Sequence, residues 1–419
     1  LSLVLVLGLI LVWGAVSQVL AHSFRLPVIL LLMAGGVAFG HHGLNWVEPS
    51  RFGSGFGVIL FIAVMVVVFE GALHLDLRAF GQLFRPGLLL ITLGGVITAG
   101  GAACVARFAL DLDWFSAWLY GGIVSVTGPT VIAPVVRRLG VSPSVRSILE
   151  AESVLVDVTG VMLVYALLAC WPIGQVAPNW WSGLGHFILG IVCGCVMGGL
   201  AACLPLALFR LYPESGQRIG HSATLALLLG CAACADALVK GSAITAAACA
   251  GLLLNRFAGT WCQSLCVFFQ DLVQLALGLV FVLVAAGIEL GRLQALGLTG
   301  VAVVFVLMAM IRPFAVFVCT AWSRLTRRER VFIAWLGPRG IVAAATGVTV
   351  SQELAARGVL GAELLAQLVL MTVVLTVTIQ AGLASWAVRM LKLEVAPSQA
   401  DSETGHARNQ AQTQVPFLI

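Results

Sequence analysis

Charge is what this sequence has least of. Only 10% of its 419 residues are Asp, Glu, Lys or Arg, whereas a soluble domain carries about 25%. That scarcity excludes an ordinary water-exposed surface. Histidine occurs seven times and never as His-Glu-x-x-His, so a helical zinc-hydrolase motif is missing. His41 and His42 are adjacent and would diverge on a helix, so a membrane metalloenzyme has little to stand on. Eleven cysteines are scattered through apolar runs. Cys193 and Cys195 are close and Cys231 to Cys234 is formally C-x-x-C, but the loops and α/β setting of zinc or redox sites are missing. Buried thiols acting as small apolar groups are expected.

What is present is apolar sequence: 60% hydrophobic residues and a mean hydropathy of +1.06. A bilayer is the solvent that explains it. Cutting at polar and Gly/Pro-rich breaks gives thirteen segments, near 2–20, 27–40, 54–73, 86–110, 114–136, 147–170, 183–209, 219–239, 242–254, 265–288, 297–322, 331–350 and 363–390. The second and ninth are short. The fold class read from this is an all-α polytopic membrane protein of about thirteen transmembrane helices. The first residue is Leu1, not Met, and the first apolar run is read as a span rather than a cleavable signal. Residues 395–419 are polar and expected to form a disordered tail.

Basic residues test the segmentation. One set of alternate loops holds 15 of the 23 Lys and Arg, from Arg25 through Arg78, Arg137, Arg138 and Arg328 to Lys392; the other holds five, Arg51, Arg107, Lys240, Arg292 and Arg357. The positive-inside rule places the first set in the cytoplasm, with the N-terminus outside and the C-terminus inside. Trp46, Trp114, Trp171, Trp180, Trp181, Trp261 and Trp322 fall near segment ends, as an interfacial belt would.

Several charges remain inside the spans: Glu70, Glu152, Asp157, Arg312 and Arg339, with Asp236, Asp271 and Glu289 nearer ends. Each costs about 2.5–3.5 kcal/mol at a helix centre on insertion scales, so it persists by pairing or by function. A merely structural ion pair suits Arg312 and Glu152. Asp157 points to function: it lies about 140° around the helix from Glu152 and four residues after Ser153 on one face. A hydroxyl above a carboxylate suits a small hard cation, although a serine back-bonded to its own helix explains Ser153 equally well. Thr127-Gly128-Pro129-Thr130 and Gly337-Pro338-Arg339-Gly340 break two spans, because proline removes a backbone donor and clashes with the preceding turn. Paired broken helices point to an inverted-repeat transporter with its site near the midplane, where freed carbonyls can meet a cation.

These blocks, with Val68-Phe-Glu-Gly-Ala-Leu-His-Leu-Asp-Leu-Arg78, Leu149-Glu-Ala-Glu-Ser-Val-Leu-Val-Asp157, Ile311-Arg-Pro-Phe314 and Arg328–Ala344, make the chain resemble NhaP-type sodium/proton antiporters of the monovalent cation:proton antiporter-1 family, in a Thr-Gly-Pro-Thr variant. The resemblance implies a transmembrane antiporter domain over 1–394, two broken crossing helices, a homodimer in a bacterial inner membrane, and no cofactor beyond the transported Na+ or K+ and H+. It places the monovalent cation and the proton at Asp157, with Ser153 and Thr127 as oxygen ligands and Glu70 close by. It pairs Glu152 with Arg312 and puts Arg339 at the crossing. Relatives usually carry Asn, or Asp when electrogenic, where this chain has Val156. They commonly carry an acid facing the arginine where it has Gly128. Without a second acid at 156, electroneutral one-for-one exchange is expected. The variant subgroup suggests either a preference for potassium or coupling to a cytoplasmic regulatory domain, for which the tail is too short. Nucleic-acid binding is not expected. A non-transporting cation or pH sensor on the same scaffold is the alternative.

Overall fold

The computed structural model describes residues 2–393 apart from 25, 42, 77–80, 82–83, 172–178, 212, 260, 289 and 360. The 395–419 tail, Arg25 and Arg78 of the basic loops, His42 and Glu289 therefore lie outside the described residues. Every regular element among the described residues is helical. Among the described residues, ten helices are long and apolar enough to cross a membrane, and Val28–Phe39, Ser242–Phe257 and Ile341–Ala356 are shorter apolar helices.

In chain order these are α1 (Leu3–Phe24), α2 (Val28–Phe39) and α3 (Ser54–Leu73), then α4, which runs from Phe84–Leu89 through a π turn at Leu90–Gly94 into Gly95–Leu110. The first broken span is α5 (Trp114–Ser125) and α6 (Pro129–Leu139), followed by the unbroken α7 (Pro143–Cys170). Next come α8 (Trp180–Leu211), α9 (Pro213–Leu238), α10 (Ser242–Phe257) and α11 (Trp261–Ala286). α12 runs from Leu290–Val306 through a π turn at Leu307–Ile311 into Arg312–Cys319. The second broken span is α13 (Arg327–Trp335) and α14 (Ile341–Ala356). α15 is Ala362–Thr376, a third π turn at Val377–Ala381, and Ala384–Leu391.

The breaks fall where the sequence puts them. Gly128 caps α6 with extended backbone and Pro129 opens that helix, a position where a missing N–H costs nothing. Leu336 and Gly340 are likewise extended on either side of Pro338. α13 starts on a capping box: the Thr326 hydroxyl accepts from the Glu329 N–H, and Glu329 reaches back to the Thr326 N–H. Ser142, just before α7, donates to Glu329 at 2.7 Å. Burial works against the Glu329 charge, but the Thr326 and Ser142 donors outweigh it and hold the carboxyl below its ordinary range. This ties the starts of α7 and α13 together.

Two expectations change. Trp181 and Trp322 are more than four-fifths exposed, as belt residues are, but Trp261 is buried and stacks on Phe209 at 4.8 Å between ring centres. Its ring is needed for packing between helices, so it is not at a lipid surface. Of the cysteines only Cys170 and Cys319 are buried; Cys104, Cys195, Cys203 and Cys234 are exposed. These four lie on outward helix faces rather than in the packed interior, a difference that apolar sequence context alone does not reveal.

Candidate ion site at the helix crossing

Asp157 is fully buried in the middle of α7. Neither carboxylate oxygen has a hydrogen-bond partner. α7 reaches the first break through Gly160, where a Cβ would sit 2.5 Å from Val126 Cγ2 and 3.1 Å from Ser125 Oγ. Only glycine permits that approach, and Asp157 lies one turn before it. Thr127, in the extended link of the break, is also fully buried, and its hydroxyl has no partner. The Thr130 hydroxyl is buried without a partner as well. Ser153 takes the back-bonded form: its hydroxyl donates to Glu150 O at 2.9 Å. Donation uses the hydrogen and leaves the oxygen lone pairs available to a cation.

The two breaks touch. Gly128 N–H donates to Pro338 O at 2.9 Å, and a Cβ on Gly128 would lie 2.6 Å from the Gly340 Cα. No side chain fits here without parting the backbones, so the acid that the resemblance implies for relatives has no room in this geometry. Arg339 is 2% exposed. Its Nη1 instead donates to the Ser125 and Val126 carbonyls, at 3.4 and 3.3 Å. These are the last carbonyls of α5, the negative end of a helix dipole, where a cation is favoured. Two of the carbonyls that the break exposes are thus directed at Arg339 rather than left free for a transported ion. Gly128→Ala is expected to cost about 1–3 kcal/mol by overpacking, read as a lower thermal midpoint in detergent. Gly199→Ala, where a Cβ meets nothing within 4 Å, should leave the midpoint in place.

Sequence reasoning missed the support behind the crossing. Thr372, Thr376 and Gln380 recur every fourth residue along α15 and are buried. Thr372 bonds to Tyr120 Oη at 2.9 Å, and the Thr376 hydroxyl accepts from the Arg339 N–H at 3.0 Å. The i, i+4, i+8 spacing in an apolar run was the available signal. Glu152 and Arg312 pair as the resemblance implied, Nη1 with Oε1 and Nη2 with Oε2, the latter at 2.8 Å. Both are almost completely buried. Arg312 Nη2 also donates to Ile333 O of α13 at 3.4 Å, and its guanidinium passes beside Gly337, where a Cβ would come within 2.9 Å of Nε. The pair therefore joins α7, α12 and the second break.

Glu70 is not in the crossing itself. It is partly buried near the end of α3, where His74 Nδ1 lies 3.0 Å from its Oε1 and hydrogen-bonds its backbone carbonyl at 3.0 Å. Glu70 lines a cavity of about 550 Å³ with Gln18, His22, Thr130, Gln270 and Gln274. It also lines a pocket of about 20 Å³ with His74, Glu150 and Ser153. The cavity reaches the surface at His22, Leu26 and Ser385. Glu70 is thus the carboxylate shared by the open cavity and the small space that extends to Ser153, one turn from Asp157.

A helical membrane protein in which two interrupted helices cross at their breaks, beside a buried and unpaired carboxylate, has the architecture of a secondary transporter. The chain matches the family described as sodium/hydrogen exchanger, transmembrane, over residues 6–390, and it belongs to that family. It is 26% identical over 365 residues to Na(+)/H(+) antiporter 1 of Methanocaldococcus jannaschii, covering 83% of each chain. It is 24% identical to sodium/hydrogen exchanger 7 of Arabidopsis thaliana, with 84% of this chain covering 33% of that protein. It is also 24% identical to K(+)/H(+) antiporter NhaP2 of Shewanella sp. (strain MR-4), with 92% of this chain covering 66% of that one. The chain thus spans a third of the plant relative and about two thirds of the bacterial one. The solved structure of the sodium proton antiporter MjNhaP1 at pH 8 superposes with a TM-score of 0.77 at 24% identity, over 94% of this chain and 99% of that one.

Proposed function

We propose that this protein exchanges a monovalent cation for protons across a membrane, by competition at Asp157. The observation that carries the reading is the fully buried Asp157 carboxylate with two unpartnered oxygens. A lone carboxylate there cannot remain both charged and uncompensated. It holds either a proton or a dehydrated cation. The hydroxyl oxygens of Thr127 and Ser153 complete a hard oxygen shell, and Glu70 receives the ion from the large cavity. Alternating access then carries the cation or the proton across. Relatives named as Na(+)/H(+) and K(+)/H(+) antiporters support the exchange and leave the ion as Na+ or K+.

The rest of the assignment follows from the same scaffold. The chain works as a homodimer with thirteen spans in a bacterial inner membrane, its N-terminus outside and its C-terminus in the cytoplasm, where the 395–419 tail lies. The basic-loop asymmetry supports that orientation. On it, the large cavity opens to the cytoplasm.

The test is a cation panel in proteoliposomes carrying an internal pH dye. Na+ or K+ gradients should drive proton movement. Val156 supplies no second carboxylate, so exchange is expected to be one for one. Collapsing the membrane potential should leave the rate unchanged, and exchange that itself generates a potential would contradict the stoichiometry. Cation binding without any turnover would favour the sensor alternative instead.

A further inference from the structure

Competition at Asp157 gives no role to Asp271. This residue lies in α11, ten residues beyond Trp261, where the helix begins. That is about 15 Å along the helix axis, half the thickness of the hydrocarbon core of a bilayer. The side chain is exposed, and among the described residues it makes no hydrogen bond or ion pair. A carboxylate at this depth does not rest against lipid. Such residues face the interior of the bundle or a water-filled space.

The space is a groove of about 240 Å³ between α1 and α11, and Asp271 is the one charged residue that lines it. Toward one end the two helices close on each other. Gly14 and Gly278 both line the groove, and a Cβ on Gly14 would lie 3.6 Å from the Gly278 Cα. Gln18 lies one turn beyond Gly14 on α1, and Gln274 lies one turn before Gly278 on α11. These two glutamines also line the cavity of about 550 Å³ that contains Glu70. Groove and cavity therefore adjoin at a pair of neutral amides, one from each helix. Asp271 is three residues from Gln274, on the same face of α11. The rest of the groove wall is Leu11, Ala15 and Leu275, which offer a charge no compensation.

A carboxylate between apolar walls focuses its field along the polar opening that remains. Here that opening is the Gln18–Gln274 boundary. Amide oxygens there can take the place of water around a passing cation without holding it by charge.

We propose that the groove is a water-filled side chamber of the large cavity, and that Asp271 is a second carboxylate of the cation route, gathering monovalent cations at the Gln18–Gln274 boundary before they reach Glu70. The inference rests on the assignment of the large cavity to the ion path. It separates two tasks. Asp157 exchanges the cation for a proton, whereas Asp271 raises the concentration of cations that Glu70 and Asp157 meet. Asp271 therefore acts on KM and leaves kcat in place.

The experiment measures apparent KM and kcat for Na+ and for K+ in proteoliposomes of the full chain, with the cation added on the cavity side. Near 10 mM ionic strength the Debye length is about 30 Å, and near 150 mM it is about 8 Å. At the lower value Asp271→Asn is expected to raise KM about three- to tenfold with kcat unchanged, and Asp271→Glu should keep the wild-type KM. Added N-methylglucamine chloride should raise the wild-type KM and narrow its difference from Asp271→Asn. Gln18→Glu places a carboxylate at the boundary itself, and in the Asp271→Asn background it should bring KM back toward the wild-type value. Equal KM in wild type and in folded Asp271→Asn at low ionic strength would overturn the proposal. So would a raised KM that salt does not narrow and Gln18→Glu does not lower, since a purely structural role gives that pattern. Either result would leave the Asp157 reading intact, because the latter fails only if Asp157→Asn still exchanges.

Discussion

Replacing Asp157 by asparagine is expected to reduce proton-coupled exchange to the leak rate of empty vesicles while the protein remains folded. Asparagine preserves the shape and removes the charge, so the side chain can neither take up a proton nor compensate a cation. Because both carboxylate oxygens are buried without partners, the substitution breaks no hydrogen bond. Removing an unpaired buried acid should leave the thermal midpoint unchanged or raise it. This combination separates a transport site from a structural acid. Exchange by the variant above the leak rate would refute the assignment.

The second large effect lies at the Glu152–Arg312 pair. Both groups are almost fully buried and bonded through two parallel contacts. Glu152→Gln or Arg312→Leu strands one charge in the interior, and breaking a buried pair costs about 3–5 kcal/mol. Each single variant should lose most of its folded yield in detergent. The double variant Glu152→Leu/Arg312→Leu should recover stability, because isosteric apolar replacement of a buried pair is often neutral or stabilising. It should nevertheless exchange poorly, since Arg312 also holds Ile333 O and the second break. A double variant as unstable as the singles would show that the pair is not the unit that matters.

The sequence made some of this legible for identifiable reasons. Apolar runs and turn residues located the helices, because the bilayer forces backbone groups to bond within each span. Gly-Pro steps located both breaks, since proline acts on its own helix. Glu70 and His74 are four residues apart, so their contact was local. Other contacts are not local. Arg339 rests on carbonyls 213 and 214 residues away, and nothing in the residues around it shows where its charge is compensated. The resemblance left Arg339 without the acid expected of relatives and offered no substitute, and Gly128 closes that position by backbone contact with Gly340. The π turn at Leu307–Ile311, which leads directly into Arg312, has no distinctive residue pattern. Ser153 could be read either way from sequence, and its local bond to Glu150 O decides where its hydrogen points. Trp261 was misplaced because nearness to a helix end does not reveal whether lipid or a neighbouring ring covers it.

Competition at one carboxylate is tested most directly by counting protons as the cation binds. Purified protein in weakly buffered detergent solution, at a pH where Asp157 is protonated before the cation is added, would be titrated with Na+ and with K+ while proton release is recorded. For the cation that binds, the account predicts about one proton released per site, and no comparable release from Asp157→Asn. Saturable cation binding by the wild type without proton release, or equal release from the variant, would contradict it.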